Sequence, residues 1–361
     1  DPYYLEGLRR DPGDIRINNA YGMLLLRRGC FVEAETCFRR AVARMTWRSP
    51  NPYDSEGYYN LGLSLLWQDR EQEAYDAFYK ATWSSAQQET SYYYLAVIAA
   101  RRHLWAQALG FVEKGLVKNA HNVKARGLKA ALLRHLGKLE EAKEAVADNL
   151  RLDPFDYLSR YEGYLLCKDT QQLEQMNRLM RGAPQHYLDV SRAYGEAGMY
   201  REGVDVLSVC PTSHPMLAYY QGYWLGKMGD LEGELAAYQS AQRCCPDCCF
   251  PNQLEDIGVL KRAGTVDSCA SKSFYYLGCL FYDKLQFDTA IALWEKSIAL
   301  DGSFPTAHRN LAIALYNKKG DAAGALRELE TAFALDPTDA RIFLERDALY
   351  KRTGMGLEKR L

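Results

Sequence analysis

The clearest candidate for metal chemistry in this sequence is the cysteine cluster CCPDCC at residues 244–249. Cys245 and Cys248 have the C-x2-C spacing that places two thiolates on one zinc ion. A structural zinc site needs four ligands, and no second C-x2-C pair occurs. The alternative is that these cysteines fill small apolar spaces at the end of a helix, as free cysteines often do. We therefore predict no metal site and no cofactor, with Cys245 and Cys248 as the candidate ligands should a metal bind.

The other motifs of catalytic chemistry do not occur. None of the six histidines has a second histidine four residues away, the spacing by which a helix presents two imidazoles to zinc. The segment GYWLGKM (222–228) resembles a phosphate-binding loop, but it has three residues between its glycines and no Ser or Thr after the Lys. We predict that this chain is not an enzyme. The prediction does not extend to the full-length protein.

The aromatic residues offer binding chemistry instead. The chain has 26 tyrosines, including the run YYY at 92–94. Aromatic residues at regularly spaced helical positions mainly fill the core, but the residue that follows each one lies about 100° further round the helix. We predict that such residues line a binding groove. The candidate groove residues are Asn19, Tyr59, Leu63, Tyr93, Val97, Lys124, Tyr275, Arg309 and Tyr316.

Pairs of helices must position these side chains. Ala74, Phe78 and Ala81 are spaced i, i+4 and i+7, as on one face of a helix, and Gly62 lies on a preceding helix before the polar turn QDRE. Two antiparallel helices that cross closely need small residues at the contact, with a large ring to fill the groove beside it. The same four side chains recur at residues 22–41. The pattern predicts helical hairpins that bury their apolar faces against one another.

The hairpin pattern repeats with a period of about 34 residues. It passes from Gly62 to Ala96 and Ala130, and it returns late in the chain at Gly278 and Ala312. This period, with small and aromatic positions and a closing Pro, resembles the tetratricopeptide repeat (TPR). The resemblance implies an all-α fold, a right-handed TPR superhelix (an α-solenoid) of about eight helical hairpins, some of them degenerate.

The departures from the period predict the domain organisation. Residues 155–186 keep helical character but lose the motif, and residues 247–270 interrupt the period again. The predicted segments are 1–14, the second helix of a partial repeat; 15–154, four TPR-like repeats; 155–246, degenerate helical repeats; 247–270, an irregular insertion; 271–338, two TPR-like repeats; and 339–361, the terminal helix of a partial repeat.

Several longer segments resemble a more specific family. They are DPYYLEGLRRDPGDIRINNAYGMLLLRRG, TWRSPNPYDSEGYYNLGLSL, HNVKARGLKAALLRHLG and FYYLGCLFYDK. They are similar to the C-terminal TPR region of large bacterial proteins of unknown function that carry an N-terminal sugar-mutarotase-like β-sandwich. The resemblance implies a bacterial protein whose other half handles carbohydrate, and it transfers no catalytic residue. Because the chain opens on Asp1 rather than Met, we expect it to be a fragment of a larger protein.

Composition excludes other classes of partner. The net charge of −1 and the pI near 6.7 provide no basic surface for a phosphate backbone, so we predict no nucleic-acid binding. The most apolar stretch, YYYLAVIAA at 92–100, is far shorter than the roughly 20 residues that span a bilayer, so we predict no membrane segment. The ten cysteines lack the spacing of a disulfide scaffold, which favours the cytoplasm.

Together these features predict a non-enzymatic protein–protein interaction scaffold. Its partner would be a protein or peptide, or the missing N-terminal half of the same protein. The alternative is an accessory module of a carbohydrate-binding or carbohydrate-active protein, with carbohydrate as a further partner. The sequence favours the scaffold because no acid/base pair is found by motif.

The helical register can be tested by overpacking one position. Ala74→Leu should destabilise the protein by about 1–3 kcal/mol because it forces adjacent helices apart. The same change at Gln72, on the predicted exposed face, should be nearly silent. Urea unfolding of both variants measures the difference, and equal midpoints would refute the register.

Overall fold

The computed structural model describes residues 1–356 and 360. Within these residues the secondary structure consists of 21 α-helices and one π-helical segment, with no strand. No helix in the described part of the chain is long and apolar enough to cross a bilayer. The helices are α1 (Pro2–Arg10), α2 (Ile15–Arg27), α3 (Phe31–Met45), α4 (Glu56–Leu66), α5 (Glu71–Ala81), α6 (Gln88–Arg101), α7 (Trp105–Lys118), α8 (Val123–His135), α9 (Leu139–Leu152), α10 (Tyr157–Cys167), α11 (Thr170–Met180), α12 (Pro184–Glu196), α13 (Tyr200–Ser208), α14 (Pro215–Lys227), α15 (Leu231–Arg243), α16 (Glu255–Val266), α17 (Ser271–Asp283), α18 (Phe287–Leu300), α19 (Pro305–Ala314), the π segment (Leu315–Lys319), α20 (Ala322–Leu335) and α21 (Ala340–Arg352).

The chain divides into two compact units, Asp1–Ser213 with Lys227–Gly229, and His214–Gly226 with Asp230–Leu361. In the first unit α2 pairs with α3, α4 with α5, α6 with α7, α8 with α9, α10 with α11 and α12 with α13. In the second unit α17 pairs with α18 and α19 with α20, while α16 packs on α17 and α21 on α20. The predicted all-α solenoid of helical hairpins is confirmed.

In four hairpins the close contact is made by a glycine and a ring. A Cβ atom added to Gly62 would lie 2.7 Å from the ring of Phe78, and Phe78 is fully buried. The same 16-residue step joins three further pairs, in which the added Cβ would lie 2.5 to 2.6 Å from the ring. A side chain on the glycine therefore cannot coexist with the ring. The further pairs are Gly22 with Phe38, Gly222 with Tyr238 and Gly278 with Trp294.

Two hairpins use a different combination of sizes. At the positions that correspond to Gly62 and Phe78, the α6–α7 hairpin has Ala96 and Val112, and the α8–α9 hairpin has Ala130 and Val146. These side chains are all buried. A methyl group on the first helix thus goes with a smaller side chain on the second, which conserves the volume of the contact.

The π segment shifts the register of the last hairpin. It follows α19 and adds one residue to the turn before α20. Ala312, Ala325, Leu329 and Leu349 form one buried cluster. In the α17–α18 hairpin, Ala290 and Trp294 follow Gly278 by 12 and 16 residues. In the last hairpin, Ala325 and Leu329 follow Ala312 by 13 and 17 residues, one more in each case. The π segment therefore explains why this hairpin departs from the predicted count.

Residues 247–270, for which the sequence predicts an irregular insertion, contain the regular helix α16. The carboxylate of Asp256 accepts hydrogen bonds from the backbone N–H groups of Asn252 and Gln253, both at 3.1 Å, and from the Tyr220 hydroxyl at 2.7 Å. These contacts hold the segment that leads into α16, and the helix forms although the repeat motif is absent.

The remaining irregular and terminal segments are also helical. Residues 155–186 contain α10 and α11, each of 11 residues. The predicted partial repeats at the two ends of the chain contain α1 and α21. Of the predicted segment 339–361, residues 357–359 and 361 lie outside the described residues.

The turn inside each hairpin requires a left-handed residue. Gly29 (φ +78°) and Gly137 (φ +74°) fill this position in two hairpins, where glycine carries no steric penalty. In the α17–α18 hairpin the position is Leu285, with φ +63°. A left-handed conformation costs an ordinary residue about 1–2 kcal/mol. Leu285 therefore strains its turn.

Leu285→Gly should stabilise the protein by about 0.5–1 kcal/mol, because glycine relieves the strain but gains freedom in the unfolded chain. Little burial is lost, since Leu285 is 54% exposed. Chemical denaturation of the purified variant measures the change. The reverse substitution, Gly137→Leu, is the control and should destabilise. A Leu285→Gly variant less stable than the parent would contradict this explanation of the turn.

Candidate functional site

A groove of about 210 Å³ lies among the first helices of four hairpins in the first unit. We call it the first-unit groove. It is formed by α6, α8, α10 and α12 and by the connection between α9 and α10. Its lining residues are Tyr93, Val123, Lys124, Leu128, Ala131, Asp153, Phe155, Asp156, Tyr157, Leu158, Asp189, Val190, Ala193, Tyr194 and Met199.

The inner part of the first-unit groove is apolar. Leu128, Val190 and Tyr194 are buried. Burial also raises the pKa of the Tyr93 hydroxyl well above its ordinary value, so this group stays neutral. At the border the ring of Phe155 is 60% exposed. The groove thus offers an apolar inner surface with one exposed aromatic side chain at its border.

Three carboxylates and one ammonium group line the groove. Asp153 accepts a hydrogen bond from the backbone N–H of Phe155 at 2.8 Å. Asp156 caps α10 by accepting from the Ser159 N–H at 3.2 Å, and burial raises the pKa of its carboxyl. Asp189 accepts from the amide of Gln185 at 3.1 Å and pairs with Arg192. The ammonium group is that of Lys124, which is exposed. The local charge therefore favours a cationic ligand group.

A close approach of two helix ends brings α6 and α12 to one groove. Arg101, at the end of α6, donates from Nε to the carbonyl oxygen of Glu196, at the end of α12, at 2.5 Å. A Cβ atom on Gly198 would lie 2.8 Å from the Cα of Arg101. Gly198 also has φ +76°. Only glycine satisfies both the turn and the approach at this position.

Of the predicted groove residues, the structure brings Tyr93 and Lys124 together in the first-unit groove. Tyr59 is linked to them through Tyr94, since the ring centroids of Tyr59 and Tyr94 are 6.2 Å apart and those of Tyr94 and Tyr93 are 5.5 Å apart. The ring of Tyr59 also packs 5.9 Å from that of Phe78. Tyr59 therefore packs beside the core residue Phe78 and is connected through Tyr94 to the groove residue Tyr93.

The other predicted residues of the first unit are covered. Asn19, Leu63 and Val97 are buried, on α2, α4 and α6. Their contact with a ligand stays a prediction.

In the second unit the predicted residues already have partners within the chain. Tyr275 is buried, and the Asn310 amide donates to its hydroxyl oxygen at 3.4 Å. Arg309 forms an ion pair with Glu345. The guanidinium of Arg352 lies 5.7 Å from the ring centroid of Tyr316. A ligand role for Tyr275, Arg309 and Tyr316 likewise stays a prediction.

A buried glutamate next to the first-unit groove is fully engaged. Glu162 accepts from Nε and Nη2 of Arg134 at 2.7 and 3.1 Å and from the Tyr194 hydroxyl at 2.7 Å. Both carboxylate oxygens are thus occupied by donors. Such a bidentate pair orients helices, and it leaves no free oxygen to accept a proton from a substrate.

The second unit contains a similar arrangement at an unusual position. Glu234 occupies the place that alanine takes in other hairpins, and it is fully buried. It accepts from Nε and Nη2 of Arg262 at 2.7 and 2.9 Å and from the Tyr238 hydroxyl at 3.1 Å. A Cβ atom on Gly226 would lie 2.5 Å from the Glu234 carboxyl carbon, so this glycine provides the space.

His308 is also held by contacts within the chain. Its Nδ1 lies 2.7 Å from a carboxylate oxygen of Glu328, and its Nε2 lies 3.1 Å from the carbonyl oxygen of Gly302. The hydrogen bond to Glu328 raises the pKa of the imidazole. Both ring nitrogens face acceptors, which favours the doubly protonated ring.

The candidate metal ligands lie apart from a coordinating cluster. Cys245 and Cys248 are exposed, and the ten cysteines are free thiols. Among the residues that the structure describes, no group of three or more His, Cys, Asp or Glu side chains is placed to hold a metal ion.

Several lining residues of the groove are absent from the sequence prediction, including Phe155, Asp189, Val190 and Ala193. The count by 34 is lost here because residues 155–186 keep helical character but lack the repeat motif. The proline of LDPFD is the signal that comes nearest, because it marks the connection in which Phe155 lies.

Comparisons with known proteins bear on the repeats. Residues 275–340 match the tetratricopeptide repeat family. A TPR protein from Parabacteroides merdae is 15% identical, with a TM-score of 0.44 over 70% of this chain and 98% of that one. The protein YrrB, described as a TPR protein with an unusual peptide-binding site, is 17% identical, with a TM-score of 0.26 over 66% and 97% of the two chains.

A structure of Naa15/Naa10 bound to HypK-THB is 15% identical, with a TM-score of 0.33. It is matched over 99% of this chain, which spans 64% of the matched chain. Because all three TM-scores are below 0.5, the fold rests on the hairpin contacts above. The prediction of tetratricopeptide repeats is confirmed for residues 275–340.

Proposed function

We propose that this protein is a non-enzymatic scaffold for protein–protein interaction and that its first-unit groove binds a peptide segment of a partner. One observation carries the proposal: four first helices converge on an apolar groove that has an exposed Phe155 and three lining carboxylates. An exposed ring beside an apolar surface is the arrangement typical of a binding hot spot.

The size of the groove supports a peptide rather than a whole small molecule. Its volume of about 210 Å³ lies below the range of about 300–1,000 Å³ that encloses drug-sized ligands. It suits one or two side chains of an extended segment. The apolar interior favours an aliphatic or aromatic side chain, and the carboxylates of Asp153, Asp156 and Asp189 favour a neighbouring Lys or Arg.

Two sources could supply the peptide segment that the groove binds. The missing N-terminal half that the bacterial resemblance implies is one source, and a separate cytoplasmic protein is another. The alternative function, an accessory module of a carbohydrate-binding or carbohydrate-active protein, depends on that same resemblance. Glycans should therefore be tested as ligands in the same binding assay. Engagement of Glu162 and Glu234 by arginine and tyrosine supports a scaffold rather than a catalyst.

Two substitutions in the groove test this function. Peptides selected on the purified chain from a random phage library should carry a basic residue beside an apolar one. Phe155→Ala and Asp189→Lys should each weaken their binding by at least about tenfold, because a hot-spot truncation typically costs about 2 kcal/mol or more. Fluorescence anisotropy with synthetic copies of the selected peptides measures the affinities.

The controls match each variant in chemistry. Phe250→Ala removes an exposed ring in the second unit. Asp205→Lys reverses a half-exposed carboxylate that, like Asp189, faces an arginine of its own helix. Both should bind the peptides within about twofold of the parent. Undiminished binding by folded Phe155→Ala and Asp189→Lys variants would refute the groove as the site.

A further inference from the structure

A second groove, of about 990 Å³, lies between the second helices α5 and α7 of the first unit. We call it the α5/α7 groove. It shares no residue with the first-unit groove, and none of the residues predicted from the sequence lines it. The packing of the hairpins gives this surface no role.

One wall of the α5/α7 groove is a row of aromatic side chains. Tyr75 and Tyr79 are four residues apart on one face of α5, and Trp83 lies in the turn that follows this helix. The rings of Tyr75 and Tyr79 are nearly parallel, with an interplanar angle of 15°. Tyr79 is 50% exposed and Trp83 is 53% exposed. Single exposed rings need no explanation, but a row of them marks an interaction surface.

The opposite wall has a glycine without a structural reason. Gly110 lies inside α7, where glycine is less favourable than alanine. An added Cβ at Gly110 would meet nothing within 4 Å, whereas at Gly62 it would strike a ring. Packing therefore does not require this glycine. Its effect is to keep the groove open opposite the aromatic row.

The polar groups of the groove include both hydrogen-bond donors and acceptors: Lys80, Trp83 and Lys114 can only donate, Tyr75, Tyr79 and Gln107 can do either, and Asp76 can only accept. The amide of Gln107 lies 3.4 Å from the Tyr75 hydroxyl at the edge of the groove. The ammonium groups of Lys80 and Lys114 flank the two walls, and Asp76 is the carboxylate among the lining residues. A ligand that offers many acceptors and few donors would complement this set.

We propose that the α5/α7 groove binds a proline-rich segment in the polyproline II conformation. This helix has no internal hydrogen bonds, so its carbonyl oxygens are free to accept from Gln107, Lys80 and Lys114. Proline has no N–H, so a proline-rich segment needs few acceptors from the groove. Its flat ring packs well against aromatic faces, as in other domains that recognise such segments.

Binding of a labelled decaproline peptide tests the proposal, with an equally long Gly-Ser peptide as comparator. Tyr79→Ala and Trp83→Ala should each weaken decaproline binding at least about tenfold. Gly110→Leu should also weaken it at least about tenfold by filling the groove. Because nothing contacts that position, this variant should keep or raise its unfolding midpoint, so it reports on binding even if a tyrosine or tryptophan variant folds poorly.

Matched controls lie outside the groove. Tyr53→Ala and Trp47→Ala remove exposed rings from the α3–α4 connection and should leave decaproline binding within about twofold of the parent. Phe155→Ala should also leave it unchanged, which separates this proposal from the first-unit groove. No saturable decaproline binding below about 1 mM would overturn the proposal. Equal binding of the Gly-Ser peptide, unaffected binding by Gly110→Leu, or binding of cellohexaose in place of decaproline would overturn it too.

Discussion

The contact between a small residue on one helix and a larger side chain on the next determines how each hairpin closes. Gly62 against Phe78 and Gly278 against Trp294 leave no room for a Cβ atom. Where the first position gains a methyl group, as at Ala96, the second shrinks to Val112. Hydrophobic burial alone would accept many combinations. The close approach of the two backbones leaves no room for both a methyl group and a ring at these positions.

This contact has consequences for both of the grooves that we propose as binding surfaces. Because the second helix of each hairpin is held tightly against the first, the first helices α6, α8, α10 and α12 can present a different face to one groove. The second helices α5 and α7 are left with outward faces that, with the turn after α5, carry the row of Tyr75, Tyr79 and Trp83. The close approach of Arg101 to Gly198 then brings distant first helices together. The repeat core positions the surfaces without supplying their chemistry.

The sequence predicts the parts of the fold that periodic packing controls. Gly62, Ala74, Phe78 and Ala81 reveal the hairpin because the spacing of a helix face repeats. Local effects without a period escape such reasoning: the contact of Asp256 with the segment before α16 and the extra residue of the π segment are examples. The candidate groove was predicted only at Tyr93 and Lys124, where the count by 34 holds. Phe155 lies in the connection between α9 and α10, and Asp189 follows the segment 155–186 in which the repeat motif is lost.

A double-mutant cycle on Gly62 and Phe78 tests the volume rule most directly. Gly62→Ala alone should cost about 1–3 kcal/mol by overpacking. Phe78→Val alone should also destabilise, because it leaves a cavity. The double variant reproduces the Ala96–Val112 combination and should be more stable than the sum of the two effects by at least about 1 kcal/mol, as measured by urea unfolding. Additivity within about 0.5 kcal/mol would contradict the claim that these two side chains close the hairpin by complementary volume.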